Sequence, residues 1–158
     1  MFVEAERGIE KMIALACDHG GFELMRDVKK FLDDGGYEYK DFGTHSTDSC
    51  DYPELAVSAA QAIVSGECDR GILICGTGVG MAIVANKIPG IRAAVCSDCF
   101  TAEMTRRHND ANVLTLGARV MGVGLALKIV DLFLQTGFDG GRHSRRIDMI
   151  NALDAKQR

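Results

Sequence analysis

A cysteine followed at once by a glycine-rich loop is the pattern in this sequence most suited to chemistry. Cys75 ends the apolar run 71–75, and the next five residues read GTGVG. Small residues leave backbone N–H groups free to approach a phosphate or a developing oxyanion, and a helix beginning there adds partial positive charge. A thiol beside a helix N-terminus ionises readily and can act as a nucleophile or a general base. The alternative is a tight strand-to-helix turn preceded by a small apolar residue.

Two polar pairs are candidates for hydrogen bonding to a substrate or for proton transfer. Asp18 and His19 follow the apolar run 12–17, and they supply a carboxylate and an imidazole. Asp18 could equally cap the helix that follows. His108 and Asn109 come near the end of a helical segment, where a histidine often interacts only with the helix C-terminus.

A basic cluster near the C-terminus could bind a phosphate. The segment GGRHSRR contains Arg142 and Arg146, which are spaced i and i+4 and so share one face of a helix. Two guanidinium groups on one face suit a phosphate dianion, although a solvated basic face is the alternative. Arg119 follows the fifth apolar run and is a further candidate. The two glycines before Arg142 could let the C-terminal segment reach a neighbouring subunit.

Alternating strands and helices are predicted to position these residues. Strands are predicted at 12–17, 37–42, 71–75, 91–96 and 113–116, and helices at 22–34, 53–64, from the GTGVG loop to about 87, 101–108, 123–134 and 142–153. This alternation predicts an α/β fold, a three-layer α/β/α sandwich with a Rossmann-like, five-stranded parallel sheet. Sites in such folds lie beyond the carboxyl ends of the strands. If the first and third strands are neighbours, the loops after Cys17 and Cys75 meet.

Length and composition predict one domain and exclude several classes of protein. The chain has 158 residues and a net charge of -4, and we expect a single domain over 12–158. Residues 1–11 are interpreted as a disordered extension or as preceding a start at Met12. No apolar run is long enough to span a membrane, and no general nucleic-acid-binding face is expected. The six cysteines are expected to be reduced thiols in a cytoplasmic protein.

Several motifs together resemble one known family. The segments are ALACDHGGFELM, GTHSTDSCDYPELA, GILICGTGVGMAIVANKIPGIRAAVC, RRHNDANVLTLGAR and GGRHSRRI. From Met12 to Leu153 the chain resembles ribose-5-phosphate isomerase of the B type, a family that also includes galactose-6-phosphate isomerase subunits. The resemblance implies an aldose–ketose isomerase of the non-oxidative pentose phosphate pathway, acting on a five-carbon sugar phosphate without metal or cofactor. It also implies a homodimer, sometimes a tetramer, whose active sites are shared between subunits.

The resemblance assigns roles to individual residues. Cys75 matches the proton acceptor, Thr77 a hydroxyl that assists the transfer, and His108 the acid that opens the furanose ring. Some relatives have a glutamate a few residues after the cysteine position, but 80–82 reads GMA here and fits the thiol-using branch. The positions that match substrate contacts are Asp18, His19, Gly76, Thr77, Gly78, Val79, Gly80 and Asn109. The positions that match phosphate-side contacts are Arg119, Arg142 and Arg146.

Other functions remain possible from the residues alone. A six-carbon substrate, allose 6-phosphate or galactose 6-phosphate, would need only a slightly different pocket. Gly76, Gly78 and Gly80 with Asp98 would suit a nucleotide-binding module, although the glycines follow the third strand and not the first. Cys96 and Cys99 form a C-x-x-C pair, as in thiol-redox proteins. A sugar-phosphate-binding protein without catalysis is a further alternative.

Overall fold

A five-stranded parallel sheet forms the centre of the computed structural model, which describes residues 12–156. The strands are β1 Ile13–Cys17, β2 Tyr39–Asp41, β3 Arg70–Cys75, β4 Ala93–Val95 and β5 Val113–Gly117. Their order is β2-β1-β3-β5-β4, and each pair is parallel. Because β1 and β3 are neighbours, the loops after Cys17 and Cys75 lie side by side, as predicted.

Helices cover both faces of the sheet. They are α1 Phe22–Asp34, α2 Tyr52–Val64, α3 Val79–Ala85, α4 Cys99–Asn109, α5 Val123–Gln135 and α6 Arg142–Ala155. Alternate residues of β3 point to opposite faces, so that Ile72 and Ile74 pack with α1 and α5, whereas Leu73 and Cys75 pack with α2 and α3. The predicted three-layer α/β/α fold is confirmed. Within residues 12–156, no helix combines the length and the apolar character needed to cross a membrane.

Predicted and observed boundaries differ most at the edges of the sheet. Helix α1 has the predicted bounds, but β2 and β4 are three residues each, shorter than the predicted 37–42 and 91–96. Both are edge strands whose residues are half-buried or exposed, and each pairs with a neighbour on one side only. The residue pattern therefore overestimates the paired length of these two strands. The predicted N-terminal extension, 1–11, lies outside the described residues.

The loops after β1, β3 and β5 are tied together at the carboxyl edge of the sheet. The Asp18 N–H donates to the Ile74 carbonyl at 3.2 Å, and the Ala118 N–H donates to the Cys75 carbonyl at 2.9 Å. A Cβ on Gly21 would stand 2.4 Å from the Ile74 carbonyl oxygen. The close approach of the first loop to β3 therefore requires a residue without a side chain at position 21.

We expect Gly21→Ala to lower the free energy of unfolding by about 2–3 kcal/mol, because the new methyl group would force the first loop away from β3. Gly124→Ala is the matched control. A Cβ there meets no atom within 4 Å, and the position lies in α5. Its effect should be neutral or stabilising by up to about 1 kcal/mol. Urea unfolding of both variants measures the difference, and equal stabilities would contradict the role given to Gly21.

Candidate active site

The sulfur of Cys75 lies inside the glycine-rich loop, at the end of β3. The Gly78 N–H donates to Cys75 Sγ at 3.1 Å. Gly78 has φ of 80°, and a Cβ on it would stand 2.9 Å from the Leu116 carbonyl carbon, so only glycine fits this turn. The sulfur therefore accepts a hydrogen bond from the backbone of the loop that follows it. Helix α3 has only seven residues, so the local N–H groups matter more than a helix dipole.

A crevice of about 450 Å³ opens beside this sulfur. Its lining residues are Asp18, Tyr52, Cys75, Gly76, Thr77, Val79, Gly80, Ile83 and Arg119. Cys75 itself is 5% exposed, so it is shielded by its surroundings but is part of the crevice wall. The volume is within the range of small-molecule sites. The structure therefore brings predicted residues from the loops after β1, β3 and β5 together around the thiol.

Asp18 and His19 are held in place by hydrogen bonds at the edge of this crevice. Asp18 is 7% exposed, and its Oδ1 accepts from the Gly21 N–H at 3.0 Å, which closes the turn before α1. His19 Nδ1 accepts from the Cys50 N–H at 3.3 Å. An accepting Nδ1 leaves the ring proton of neutral His19 on Nε2. The two side chains thus have defined orientations before any substrate arrives.

Arg119 supplies a positive charge at the same edge. Its N–H donates to the Gly76 carbonyl at 3.0 Å, which fixes its backbone to the glycine loop. Its guanidinium passes Gly20 and Gly76, where an added Cβ would stand 3.6 Å from Nη2 and 3.4 Å from Nη1. Within residues 12–156, no carboxylate forms an ion pair with it. The charge is therefore available to an anion in the crevice.

The remaining predicted residues lie at the opposite edge of the sheet. Helix α4 starts after the carboxyl end of β4 and ends before the amino end of β5, so His108 and Asn109 lie at the amino edge. Gly71 pairs with Val113 at that edge, and Cys75 is four residues further along β3. Four strand residues span about 13 Å. His108 therefore does not face the Cys75 crevice of its own chain.

Arg142 and Arg146 extend this second cluster. Both side chains are exposed and lie on α6, which contacts α4. Helix α6 is anchored along the amino edge, because the Gly90 N–H donates to Asp154 Oδ2 at 2.8 Å. The predicted site residues thus form two groups in one chain. The thiol, the glycine loop, Asp18, His19 and Arg119 form the carboxyl-edge group, and His108, Asn109, Arg142 and Arg146 form the amino-edge group.

Sequence reasoning gave no site role to three residues that the structure places in these groups. Tyr52 lines the thiol crevice and packs on Gly80, where a Cβ would stand 2.7 Å from Tyr52 Cζ. His143 and Asp139 lie beside His108. Tyr52 stands in the motif GTHSTDSCDYPELA and His143 in GGRHSRR, so both motifs contained a signal. Asp139 precedes the second motif, and nothing in its neighbours along the chain marked it.

The pairs that suggested other functions are engaged elsewhere in the fold. Cys96 is fully buried, and burial, followed by the charge of Asp98, raises its thiol pKa to about 12. Such a thiol is a poor redox nucleophile. Asp98 accepts from the Thr101 N–H and hydroxyl, both at 2.7 Å, and thereby caps α4. All six cysteines are free thiols. These contacts count against the thiol-redox and nucleotide-binding alternatives.

A larger crevice lies away from the thiol. It has a volume of about 890 Å³ and is lined by α2, the loop after α3, and the end of α6. Its one acidic side chain, Asp154, is the acceptor that anchors Gly90. No thiol, histidine or basic residue lines it. Size alone therefore does not mark a candidate site, because the thiol, the Thr77 hydroxyl and the Arg119 guanidinium line the smaller crevice.

Comparisons with known proteins find similar sequences and a similar fold. A family model described as Ribose/Galactose Isomerase matches residues 13–150. Ribose-5-phosphate isomerase B of Escherichia coli is 48% identical over 147 residues, which cover 93% of this chain and 99% of the relative. The structure of Clostridium thermocellum ribose-5-phosphate isomerase B is 53% identical, with a TM-score of 0.91 over 93% of this chain and 99% of that one.

A structure with a bound sugar phosphate is also similar. It is Mycoplasma genitalium ribose-5-phosphate isomerase B with bound ribulose-5-phosphate, which is 38% identical, with a TM-score of 0.90 over 94% of this chain and 99% of that one. The family model spans most of the chain. The Escherichia coli relative and the two structures match over nearly their full lengths. The chain therefore belongs to the ribose/galactose isomerase family of enzymes.

Proposed function

We propose that this protein interconverts D-ribose 5-phosphate and D-ribulose 5-phosphate through an enediolate, with Cys75 as the general base. The observation that carries the proposal is the Cys75 sulfur in the wall of a crevice, with the Gly78 N–H 3.1 Å away. Isomerisation moves a proton from C2 to C1, and it therefore needs one base that can take and return a proton on the same face. The names of the similar proteins support this substrate.

In the proposed mechanism, the Cys75 thiolate takes the C2 proton and later returns it to C1. Two N–H groups of the loop already donate hydrogen bonds within it. The Gly78 N–H donates to the Cys75 sulfur, and the Val79 N–H donates to the Thr77 hydroxyl. We therefore assign the enediolate oxygens to the other N–H groups of the loop 76–80. The exposed Thr77 hydroxyl moves the proton shared by the O1 and O2 hydroxyls. A pre-positioned N–H donor of this kind is typically worth about 3–4 kcal/mol of barrier.

Ring opening needs an acid, and we assign this role to the amino-edge group. His108 protonates the ring oxygen in this proposal, with Asp18 or His19 assisting at the other side of the sugar. Since His108 lies at the amino edge of its own chain, a second copy must bring its amino edge to the crevice. A two-fold dimer does this twice, because each copy presents one edge of each kind. The proposed enzyme is therefore a homodimer, or a tetramer built from such dimers, with two shared sites in each dimer.

The phosphate is held from both subunits in this arrangement. Arg119 approaches it from the thiol side, and Arg142 and Arg146 of the second copy approach it from α6. Arginine pairs bind phosphate oxygens with two hydrogen bonds each, and this fixes the far end of the substrate. Binding energy at the phosphate then positions C2 against the sulfur.

A six-carbon sugar phosphate is the second candidate substrate, since the family's description covers both ribose and galactose isomerases. The test is isomerase turnover of ribose 5-phosphate, allose 6-phosphate and galactose 6-phosphate, each in the presence of a chelator. We expect kcat/KM to be highest for ribose 5-phosphate by about tenfold or more, a discrimination typical of one additional carbon in a fitted pocket. Higher kcat/KM for either six-carbon substrate would replace the five-carbon assignment, and binding without turnover would indicate a non-catalytic protein.

A further inference from the structure

Two histidine rings are stacked at the amino edge of the sheet, beside a carboxylate. His108 in the last turn of α4 and His143 in the first turn of α6 have ring centroids 4.4 Å apart and planes 11° apart. An Asp139 oxygen and one ring nitrogen of each histidine all lie within 4.8 Å of one another. Asp139 belongs to the loop between α5 and α6, so three separate segments meet here.

Arg107 fixes the position of the Asp139 carboxylate. Its Nε lies 3.1 Å and 3.2 Å from the two Asp139 oxygens, and its carbonyl accepts from the Asp139 N–H at 3.0 Å. The hydrogen bond from Arg107 is the main cause that lowers the pKa of Asp139, and the charges of His108 and His143 lower it further. Asp139 is therefore an anion next to the histidine pair.

The same three side chains could in principle bind a metal ion, but their arrangement fits a proton better. The lone pairs of imidazole lie in the ring plane, so two stacked, nearly parallel rings do not aim both nitrogens at one point. Arg107 already engages both Asp139 oxygens. Arg142 and Arg146 add positive charge from α6, which disfavours a cation and is compatible with one shared proton.

Several charged groups surround the histidine pair. On α4, Arg107 pairs with Glu103. The C-cap residue of α4, Asp110, pairs with Arg92 and Arg106. The charged groups on the other elements are Asp139, Arg142 and Arg146. Burial lowers the pKa of His143, and the charges of His108, Arg142 and Arg146 lower it further, while Asp139 opposes them. His108 is more exposed than His143. Two stacked imidazolium rings would repel each other, so the pair holds one proton more readily than two.

We propose that Asp139 is a positioning residue that stabilises the one proton held by the stacked His108–His143 pair, so that the ring-opening acid His108 has a proton available when it meets the ring oxygen. This inference rests on the proposed function. In the proposed mechanism Asp139 touches neither the substrate nor the reacting atoms, and Asp139 acts only through the two histidines. An acid of this kind is active below its pKa and fails as the pH rises through it, so Asp139 extends ring-opening activity towards alkaline pH.

The test separates ring opening from proton transfer at carbon. Ribulose 5-phosphate carries its phosphate on the C5 oxygen and cannot close a furanose ring, so it binds as an open chain. Exchange of its C1 hydrogen with deuterated water needs the Cys75 group only. Turnover of ribose 5-phosphate needs ring opening as well. Both rates are measured against pH for the full-length wild-type protein and for Asp139→Asn.

We expect Asp139→Asn to move the alkaline limb of kcat/KM for ribose 5-phosphate to lower pH. At pH 8 we expect turnover to fall by about tenfold, a part of the 10²–10⁴-fold contribution of a general acid. C1 exchange of ribulose 5-phosphate should change less than about twofold. Asp34→Asn is the matched control, because it also removes an exposed carboxylate paired with a basic residue, Lys30, but on α1. It should leave both rates unchanged.

Arg107→Gln distinguishes a proton effect from a purely structural one. It removes a positive charge and frees the Asp139 carboxylate, so the alkaline limb should move to higher pH, opposite to Asp139→Asn. If both variants shift the limb in the same direction, or if Asp139→Asn leaves the profile unchanged, the inference is wrong. A wild-type protein that neither turns over ribose 5-phosphate nor exchanges ribulose 5-phosphate would overturn the proposed function itself.

Discussion

Cys75→Ala is expected to lower kcat for ribose 5-phosphate by about 10³-fold or more, because no other group in the thiol crevice can take the C2 proton in its place. Asp18 is the nearest acidic alternative, and its Oδ1 is occupied by the Gly21 N–H. The substrate should still bind, since its phosphate and hydroxyl contacts lie on other residues. Steady-state kinetics and calorimetric binding of ribulose 5-phosphate measure the two effects separately.

Loss of the sulfur also removes a packed atom and a hydrogen bond, so stability needs its own control. Cys75 is nearly buried and accepts from the Gly78 N–H, and its loss should lower the free energy of unfolding by about 1–2 kcal/mol. Cys68→Ala is the matched variant, because Cys68 is 2% exposed on the same face of the sheet but lies outside the crevice. It should destabilise to a similar extent while kcat changes less than about twofold. Near-normal turnover by Cys75→Ala would remove the thiol from the mechanism.

Cys75→Ser tests the chemistry of the atom at nearly constant shape. The hydroxyl can still accept from the Gly78 N–H, but it ionises far less readily than a thiol. We expect a loss of kcat of at least about 10²-fold with smaller destabilisation than in Cys75→Ala. Equal activity of the serine variant and the wild type would mean that residue 75 serves only to shape the loop.

The parts of the fold with strong local signals could be predicted from the sequence. Helix α1 has an apolar stripe and ends at Gly35 and Gly36, and its predicted and observed bounds agree. The GTGVG segment predicted the turn that surrounds the Cys75 sulfur, because only glycine can adopt the positive φ and close packing of position 78. Parallel strands place such loops at one edge, which is why the crevice residues after β1, β3 and β5 were found together.

The motifs alone did not show the separation of the two groups of residues, although it follows from the order of the elements. A helix that follows one strand and precedes the next runs back across the sheet, so His108 had to lie at the amino edge, away from Cys75. The motif pattern showed that both residues matter to one family, but motifs contain no distances. The cluster joins His108 to Asp139 and His143, which come more than 30 positions later in the chain, and it depends on the packing of α6 on α4.

The separation leads to the second large prediction, which is rescue between two inactive variants. Cys75→Ala damages only the carboxyl-edge group, and His108→Asn damages only the amino-edge group. In a shared-site dimer that contains one copy of each, one site carries both lesions and the other carries none. The heterodimer should therefore recover about half of the wild-type activity per dimer, from parents that each fall by about 10²-fold or more.

Co-expression of the two variants with different affinity tags, followed by purification on both, isolates the heterodimer for this measurement. The matched control pairs Cys75→Ala with Thr77→Ala, since both changes lie in the carboxyl-edge group. In that heterodimer each site contains one damaged crevice, so activity should stay near the level of the parents. Activity at the parental level in the first heterodimer as well would mean that no second copy completes the crevice. Ring opening would then have to come from Asp18 or His19 within the same chain, because His108 lies at the amino edge and the four strand residues from Gly71 to Cys75 span about 13 Å.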